Sequence, residues 1–303
     1  MQTAFANNNR SRTKLHQADV DRQPSRSLTE QLGGVKHVAL DMDGTIYRGA
    51  TLFEATNPFL LLLRDLGIGY TFLTNNSSKS VADYVAHLQS VGIDATAGQF
   101  YTSTNATIEY LREELPSVRR LFVLGTPSMS LEMANSGFSI TDDTPEDEPD
   151  AVVVGFDTTL TFGRLCRTAY WIKQGKPFIA SHPDRVCPTD EATVLVDCGS
   201  VCAALAEATG RKPDAVLGKP DPRMLAGLLQ RNKLKADQLV MVGDRLYTDV
   251  AMAHLAGALS VLVLTGEATA EDSARFNPAP DIVVTDLAEL GEKLLKANRK
   301  ELR

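Results

Sequence analysis

Two carboxylates stand two positions apart in this chain, at the point where an apolar run gives way to a glycine. The run 35–40 is followed by Asp-Met-Asp-Gly-Thr at positions 41–45. Because side chains at positions i and i+2 of an extended segment point to the same side, Asp41 and Asp43 should face one point, and Gly44 allows a sharp turn. Two like charges at this spacing favour a hard cation such as Mg²⁺, shared with a phosphate. A solvated Asp-Gly turn is the alternative interpretation.

A cluster of hydroxyl and amide groups follows the next short apolar run. Residues 70–73 lead into Thr74, Asn75 and Asn76, whose side chains can donate hydrogen bonds to phosphate oxygens without adding charge. We expect a helix from residue 77 or 78 to residue 88, whose free N–H groups favour an anion at its start. A plain helix cap is the alternative.

Two further signals lie in the last third of the chain. Lys219 stands between a glycine and a proline, so a stiff loop holds a point charge that suits a phosphate; an exposed surface lysine is the alternative. The apolar run 239–242 ends in Gly-Asp at Asp244, and Asp249 follows five residues later near a helix start. Asp249 could instead serve only the helix dipole.

The elements that must position these groups alternate between strand and helix. This alternation is typical of a doubly wound parallel sheet, and ligands of such sheets bind beyond the carboxyl ends of the strands. The sequence therefore predicts one site for metal and phosphate, built from all four segments together.

The four segments resemble the motifs of the haloacid dehalogenase (HAD) superfamily: DxDGT/V, a Thr or Ser after the second strand, a Lys, and GDxxxxD. Residues 74–76, 218–220 and 209–213 are similar to the NagD and p-nitrophenyl phosphatase-like subgroup (subfamily IIA). The resemblance runs from about residue 35 to the C-terminus. It implies an α/β fold, with a doubly wound, Rossmann-like parallel-sheet core and an inserted α/β cap.

The resemblance also implies a division of the chain. Residues 33–115 and 214–303 are expected to form the catalytic core, and residues 116–213 the cap. Residues 1–32 are polar and low in aromatic residues, so a disordered tail is expected, with a short helical turn at 28–32. A targeting segment is the alternative for the tail.

The family pattern implies a role for each core residue. Asp41 would attack phosphorus to give an aspartyl phosphate, and Asp43 would protonate the leaving alcohol and then activate water. Asp41, Asp244 and the main-chain carbonyl of Asp43 would hold Mg²⁺, with Asp249 behind them, while Lys219 offsets charge repulsion. The groups expected to bind the phosphoryl oxygens are Thr74, Asn75, Asn76 and Lys219.

Substrate specificity is expected in the cap, because the core motifs contact only phosphoryl and metal. The segment 181–190 follows a predicted strand and is the best candidate for a substrate-facing loop. His182 and Arg185 could meet a sugar hydroxyl, a second phosphate or a carboxylate; an ordinary surface loop is the alternative. Similar proteins have Asn at position 182, and their Pro-Gly-rich continuation is replaced here by residues 193–198.

The function expected from this resemblance is a Mg²⁺-dependent phosphatase of small phosphate monoesters, sugar phosphates first and nucleoside monophosphates next. A phosphotransferase or phosphomutase is one alternative. A non-catalytic interaction protein with the same fold is another, but Asp41, Asp43, Lys219 and Asp244 are all present.

Length and charge agree with a two-domain enzyme. The chain has 303 residues and a formal net charge of −7, and without a compact basic patch it is unlike nucleic-acid binders. The four leucines at 60–63 are flanked by polar residues and fall short of a membrane helix, so we interpret them as one face of a buried helix. The expected partner is a small phosphorylated metabolite, not nucleic acid or membrane.

The four cysteines all lie in the middle of the chain, without a C-x-x-C pair. Buried, reduced thiols are favoured for Cys198 and Cys202, and a metal or redox role is the alternative. With no recognisable signal peptide, this usage favours the cytoplasm. Cap-mediated dimers occur in similar proteins, so a homodimer through the cap is a further expectation.

Overall fold

The computed structural model describes residues 27–49, 51–187, 189 and 192–301. Within them lie two parallel sheets with helices on their faces. The α-helices are α1 (Leu28–Gly33), α2 (Thr56–Asp65), α3 (Val81–Ser90), α4 (Ser103–Glu114), α5 (Pro127–Asn135), α6 (Phe162–Lys173), α7 (Cys198–Thr209), α8 (Arg223–Asn232), α9 (Ala251–Ala256), α10 (Ala270–Arg275) and α11 (Leu287–Glu301). The strands are β1 (His37–Asp41), β2 (Tyr47–Arg48), β3 (Thr51–Leu52), β4 (Gly69–Thr74), β5 (Phe100–Thr102), β6 (Arg120–Leu124), β7 (Ser139–Ile140), β8 (Ala151–Val154), β9 (Phe178–Ala180), β10 (Val186–Cys187), β11 (Leu195–Val196), β12 (Ala215–Val216), β13 (Leu239–Gly243), β14 (Leu259–Val263) and β15 (Ile282–Val284). Short 3₁₀ turns lie at Ala97–Gln99 and Ala236–Gln238.

The core sheet has six parallel strands in the order β15-β14-β13-β1-β4-β5. The chain builds outward from β1 in one direction through β4 and in the other through β13, so the order reverses beside β1. Leu40 is paired with Val242 on one side and with Phe72 on the other. The carboxyl ends of these three strands therefore lie side by side at the switch point, where open α/β sheets bind ligands.

Helices cover both faces of the core sheet. Alternate residues of β1 point to opposite faces: Val38 and Leu40 belong to one apolar cluster, shared with α2, α3 and α11. Ala39 and Met241 belong to the other, shared with α8 and α9. The predicted doubly wound α/β core is confirmed.

The cap is a second parallel sheet, in the order β12-β9-β8-β6-β7, inserted between α4 and α8. Its last strand, β12, follows the predicted end of the cap at residue 213, so the cap sheet extends past that boundary. The helix α4 contributes to both units, because Ala106 packs with residues of α8 while Ile108 and Leu111 pack with β6 and α5.

The predicted tail falls largely outside the described residues, which begin at residue 27. For the last part of the tail, the prediction of disorder is wrong. These residues form α1, which is capped by the side chain of Ser27, and this side chain accepts a hydrogen bond from the N–H of Glu30. Leu32 is buried, and α1 packs against α11. The predicted short helical turn at this position is confirmed.

The helix expected from residue 77 or 78 begins later, at Val81. Ser80 and Asp83 form a reciprocal capping box, which fixes the first turn there. The side chain of Asn76 accepts a hydrogen bond from the N–H of Ser78, and this turn holds the preceding residues out of the helix.

The fold also places two of the four cysteines. Cys198 and Cys202 are free and buried, with their sulfur atoms 4.0 Å apart, as predicted. In the part of the chain that the structure describes, no helix is both long and apolar enough to cross a bilayer.

The leucine run in α2 gives a direct test of the core. Leu63 is fully buried, whereas Leu61 on the same helix is 49% exposed. The prediction that all four leucines form one buried face is therefore wrong, because consecutive residues point around the helix. We expect Leu63→Ala to lower the free energy of unfolding by about 2–5 kcal/mol, the cost of a core cavity. The matched variant Leu61→Ala should change it by only about 0.5 kcal/mol. Urea denaturation of both variants measures the difference, and equal losses would contradict the assigned helix face.

Candidate active site

The predicted site residues converge on one cavity at the carboxyl edge of the core sheet. β1 carries Asp41, β4 ends at Thr74, and β13 leads into Asp244. The predicted residues that line the cavity are Asp41, Asp43, Thr74, Asn75, Asn76 and Lys219. The cap adds Asp184, Val186, Cys187 and Asp197, and the core adds Arg245 and Thr248. The four segments thus form one site, as the sheet topology predicts.

Lys219 lies at the centre of the charge arrangement. Its ammonium group donates hydrogen bonds to the carboxylate of Asp41 and to Oδ1 of Asp249, 2.7 Å away, and the residue is only 4% exposed. Burial alone would lower the pKa of Lys219, but the carboxylates of Asp249 and Asp41 outweigh it and raise that pKa above its usual value. The exposed surface lysine considered as an alternative is therefore wrong.

Asn75 holds the loop that carries Lys219. Its Oδ1 accepts a hydrogen bond from the N–H of Lys219 (2.6 Å), and its Nδ2 donates to the carbonyl of Lys219 (3.0 Å). The same Nδ2 donates to both carboxylate oxygens of Asp184 at 3.2 Å. Both amide hydrogens are thus engaged, so the side chain positions Lys219 and the cap loop. The contact of Asn75 with a phosphoryl group stays a prediction.

The neighbouring Gly218 has a conformational reason to be glycine. Its φ is +72°, and a Cβ there would lie 2.7 Å from Oδ1 of Asn75 and from Cβ of His182. The close approach of the core and cap loops requires the missing side chain.

Three carboxylates form a candidate cation site. Ligand oxygens of Asp41, Asp244 and Asp249 lie within 4.8 Å of one another. Burial, followed by Asp41 and Asp249, raises the pKa of the Asp244 carboxyl to about 8. Oδ2 of Asp244 accepts from the N–H of Glu267, while Oδ1 is buried and has no hydrogen-bond partner among the described residues. A hard cation such as Mg²⁺ fits this donor set, because it would lower the raised pKa of Asp244 and occupy its unpaired oxygen.

Asp249, the third member of this cluster, is held in place by the protein. It accepts hydrogen bonds from the ammonium of Lys219 and from the N–H of Arg245 (3.1 Å), and it lies in a π-helical turn, Leu246–Val250. Its carboxylate is thus tied to two donors of the protein, which suits a residue that orients the metal ligands.

Asp43 has the environment of a proton donor and acceptor. Burial, followed by the nearby Asp41, raises the pKa of its carboxyl to about 6. The turn behind it is fixed, since the N–H of Gly44 donates to the carbonyl of Tyr47 (2.8 Å). A carboxyl group that titrates near neutral pH suits both halves of general acid–base catalysis.

The predicted cap residues are placed differently from expectation. His182 is fully buried, with Nε2 3.4 Å from the hydroxyl of Ser77 and 3.5 Å from Oδ1 of Asp197. The expectation that it faces the substrate is wrong, because this part of the loop packs against the core. Arg185 is exposed and lines, with Tyr247, a hollow that adjoins the cavity. The two share Asp184, Val186, Arg245 and Thr248. The same loop does reach the cavity, through Asp184.

Sequence reasoning missed several cavity residues. Arg245 follows Asp244 in the fourth motif and forms an ion pair with Glu267 (2.9 Å); its position inside the motif was an available signal. Asp197 caps the start of α7, and only an acidic residue ahead of a helical pattern marked it in the sequence.

The close approach of Gly44 to Asp244 predicts that a side chain at position 44 impairs metal binding. Gly44 has φ +85°, and a Cβ would lie 2.4 Å from Oδ2 of Asp244. We expect Gly44→Ala to displace that carboxylate and weaken Mg²⁺ binding roughly ten-fold or more, as for other residues that orient metal ligands. Thermal unfolding at increasing Mg²⁺ concentration measures it. Gly175→Ala is the matched control, because φ is +87° there and no atom lies within 4 Å.

Both variants should lose about 1–2 kcal/mol of stability from the left-handed backbone, but Gly175→Ala should keep the wild-type Mg²⁺ response. An identical Mg²⁺ response in Gly44→Ala would argue against a metal ligand at Asp244.

His182 predicts a pH-dependent stability. Burial opposes its protonation, but Cys198, Asp184 and Asp197 outweigh burial and raise the pKa of His182 to about 9. A pKa raised on folding stabilises the protein fully below pH 6.5, and this stabilisation is lost as pH rises through 9. Denaturation of wild type and His182→Asn across this range should show a steeper loss in wild type, at about 1.4 kcal/mol per pKa unit. Parallel curves would mean that His182 is neutral in the folded protein.

Comparison with known proteins agrees with this geometry. Residues 38–139 match the family described as haloacid dehalogenase-like hydrolase, and residues 216–290 match the HAD-hydrolase-like family. The chain is 30% identical over 256 residues to ribonucleotide monophosphatase NagD of Escherichia coli K12, covering 84% of this chain and 98% of the relative. It is 29% identical to an acid sugar phosphatase of Staphylococcus aureus, covering 86% and 98%.

Solved structures give the same result. A 4-nitrophenylphosphatase from Thermotoga maritima superposes with a TM-score of 0.81 at 39% identity, covering 86% of this chain and 98% of that one. A glycerol phosphate phosphatase from Mycobacterium tuberculosis in complex with magnesium gives a TM-score of 0.79 at 32% identity, covering 88% and 78%. With the four motifs gathered in one cavity, these likenesses show that the chain belongs to the haloacid dehalogenase superfamily, in its NagD and p-nitrophenyl phosphatase-like subgroup.

Proposed function

We propose that this chain is a Mg²⁺-dependent phosphatase that hydrolyses small phosphate monoesters through an aspartyl-phosphate intermediate. The observation that carries the proposal is the buried pair of Asp41 and Lys219 beside Asp43, at the floor of a cavity. A nucleophile, an ammonium group and a proton-transfer group thus lie together, and phosphoryl transfer depends mainly on such positioning and charge compensation.

The chemistry of the chain's own residues follows from this arrangement. An oxygen of Asp41 attacks phosphorus in line, the bond from phosphorus to the ester oxygen breaks, and Asp43 gives its proton to the leaving alcohol. Asp43 then takes a proton from water, the water oxygen attacks the same phosphorus, and the carboxylate of Asp41 is released. The pKa of about 6 for Asp43 allows both directions of transfer near neutral pH.

Charge compensation is divided between the protein and the metal. Lys219 already donates a hydrogen bond to the carboxylate of Asp41, so its positive charge offsets the repulsion between this nucleophile and the incoming phosphate. Asp41 and Asp244 would hold Mg²⁺, which when bound supplies further neutralisation of the phosphoryl oxygens. The magnesium complex of the glycerol phosphate phosphatase supports this choice of metal.

The substrates we propose are sugar phosphates first and nucleoside monophosphates second. The names of the relatives support this range, since they include an acid sugar phosphatase and a ribonucleotide monophosphatase. Transfer of the phosphoryl group to a second alcohol instead of water would use the same residues. The cytoplasmic location and the homodimer through the cap stay predictions.

A panel of phosphate esters with and without Mg²⁺ tests the proposal. Wild type should release phosphate only with Mg²⁺, and Asp41→Asn should lose roughly 10³-fold or more in kcat, as expected on removal of a nucleophile. Asp94→Asn, a change at an exposed residue of the catalytic core domain, is the matched control and should keep the wild-type rate. Release from no ester would contradict the proposal and favour the non-catalytic interaction protein.

Asp43→Asn separates the two half-reactions. p-Nitrophenol is an acidic leaving group that departs without a proton donor, so this variant should still form the aspartyl phosphate from p-nitrophenyl phosphate. The second step lacks its base, and one equivalent of p-nitrophenol per active site should appear as a burst before slow turnover. Rapid-mixing absorbance measures the burst. A variant with wild-type steady-state turnover of alkyl phosphates would exclude Asp43 as the acid and base.

A further inference from the structure

The cap side of the cavity is acidic. The cap residues that line it are Asp184, Val186, Cys187 and Asp197; Arg185 of the cap lines the adjoining hollow. A leaving group held against this wall therefore meets two carboxylates, a thiol and an apolar side chain. Carboxylates only accept hydrogen bonds, so the wall offers acceptors to whatever binds there.

Asp184 is already committed to the protein. Both of its oxygens accept from Nδ2 of Asn75 at 3.2 Å, and Oδ2 lies 3.6 Å from Nδ1 of His182. These contacts tie the cap loop to the core, and they leave Asp197 as the carboxylate of the wall that a ligand can use.

Asp197 is buried, fixed and only partly paired. It is 2% exposed, its N–H donates to the carbonyl of Arg185 (2.9 Å), and its Oδ1 accepts from the N–H of Cys198 (2.5 Å). In the described part of the chain no hydrogen bond reaches its Oδ2. A buried carboxylate with an unused oxygen is stabilised by any donor that a ligand brings, and destabilised by a second anion.

The two ends of the cavity carry opposite charge. Lys219 comes from the core side, where the phosphoryl group would lie next to Asp41. Arg245 is also a core residue, and it lies close enough to Asp197 for its positive charge to act on that carboxylate. On the cap side, the buried His182 stands between Asp184 and Asp197 and, even when protonated, balances only one of them. A molecule with phosphate at one end and hydrogen-bond donors at the other matches this arrangement.

We propose that Asp197 selects the leaving group, accepting a hydrogen bond from a hydroxyl or ammonium group of the alcohol and disfavouring a carboxylate or second phosphate there. This inference rests on the proposed phosphatase function. It narrows the substrates from phosphate monoesters in general to esters of neutral polyols, sugars included, or of amino alcohols.

Three two-carbon esters that differ in the distal group test the inference: 2-hydroxyethyl phosphate, 2-aminoethyl phosphate and phosphoglycolate. With Mg²⁺ and the full chain, kcat/KM for one or both of the first two should exceed that for phosphoglycolate by roughly ten- to a hundred-fold, the range for one hydrogen bond to a charged group. A preference for the hydroxyl ester identifies a polyol, and a preference for the amino ester identifies an amino alcohol.

Asp197→Asn keeps an oxygen that can cap α7 but removes the charge. In this variant the preference over phosphoglycolate should fall toward one, while Asp142→Asn, at an exposed cap residue, should keep the wild-type ratio. A ratio near one in wild type, or an unchanged ratio in Asp197→Asn, would overturn the inference.

Hydrolysis of p-nitrophenyl phosphate distinguishes failure of the inference about Asp197 from failure of the proposed phosphatase function. Its leaving group has no hydroxyl or ammonium donor, so Mg²⁺-dependent hydrolysis by wild type shows that the core machinery works whatever the selectivity. If wild type hydrolyses neither it nor the two-carbon esters, the phosphatase proposal fails and the inference falls with it.

Discussion

The site requires several buried carboxylates to lie close together, so their mutual repulsion must be offset by positive charge. The parallel sheet places Asp41 and Asp244 at neighbouring strand ends, and Asp249 lies beside them. Lys219 neutralises part of this charge through two buried ion pairs. Buried charges are tolerated only when they are paired, and burial, followed by the negative charges of Asp41 and Asp249, still raises the pKa of Asp244. Lys219 thus leaves part of the negative charge of this cluster unpaired. A divalent cation would supply the missing positive charge.

The lysine in turn depends on contacts between the core and the cap. Asn75 bonds both to the main chain of Lys219 and to Asp184 of the cap, and the hydroxyl of Ser77 accepts from the N–H of Phe156 in the cap (2.9 Å). The residues that follow β4 thus serve two partners at once. The cap therefore contributes to the arrangement of the buried charges as well as to the wall of the cavity.

The core of this site could be predicted from the sequence because each of its signals is local. An apolar run followed by Asp41, or by Asp244, marks a strand end without knowledge of the rest of the chain, and the topology of parallel sheets then gathers the ends. Lys219 gave a weaker signal, since only the packed structure shows its burial.

The cap resisted prediction because non-local packing decides its details. Whether His182 faces the cavity or the interior depends on how the cap loop meets Ser77, and residues far apart in the sequence determine that contact. β12 has two residues and shows no periodicity, so only its pairing with β9 reveals it. The role of Asn75 was hidden similarly, because its partners lie 109 and 144 positions away.

The helix α4 limits how freely such enzymes can exchange their specificity units. Because Ala106 belongs to the core cluster while Ile108 and Leu111 belong to the cap cluster, a chimera joined after this helix would place a foreign cap on the wrong apolar surface. A junction ahead of residue 103 would instead disturb the contact between Ser103 and Asn75. A functional chimera should therefore keep the residues of α4 that pack against the cap together with their own cap. This one helix thus determines where the boundary of an exchangeable cap must lie.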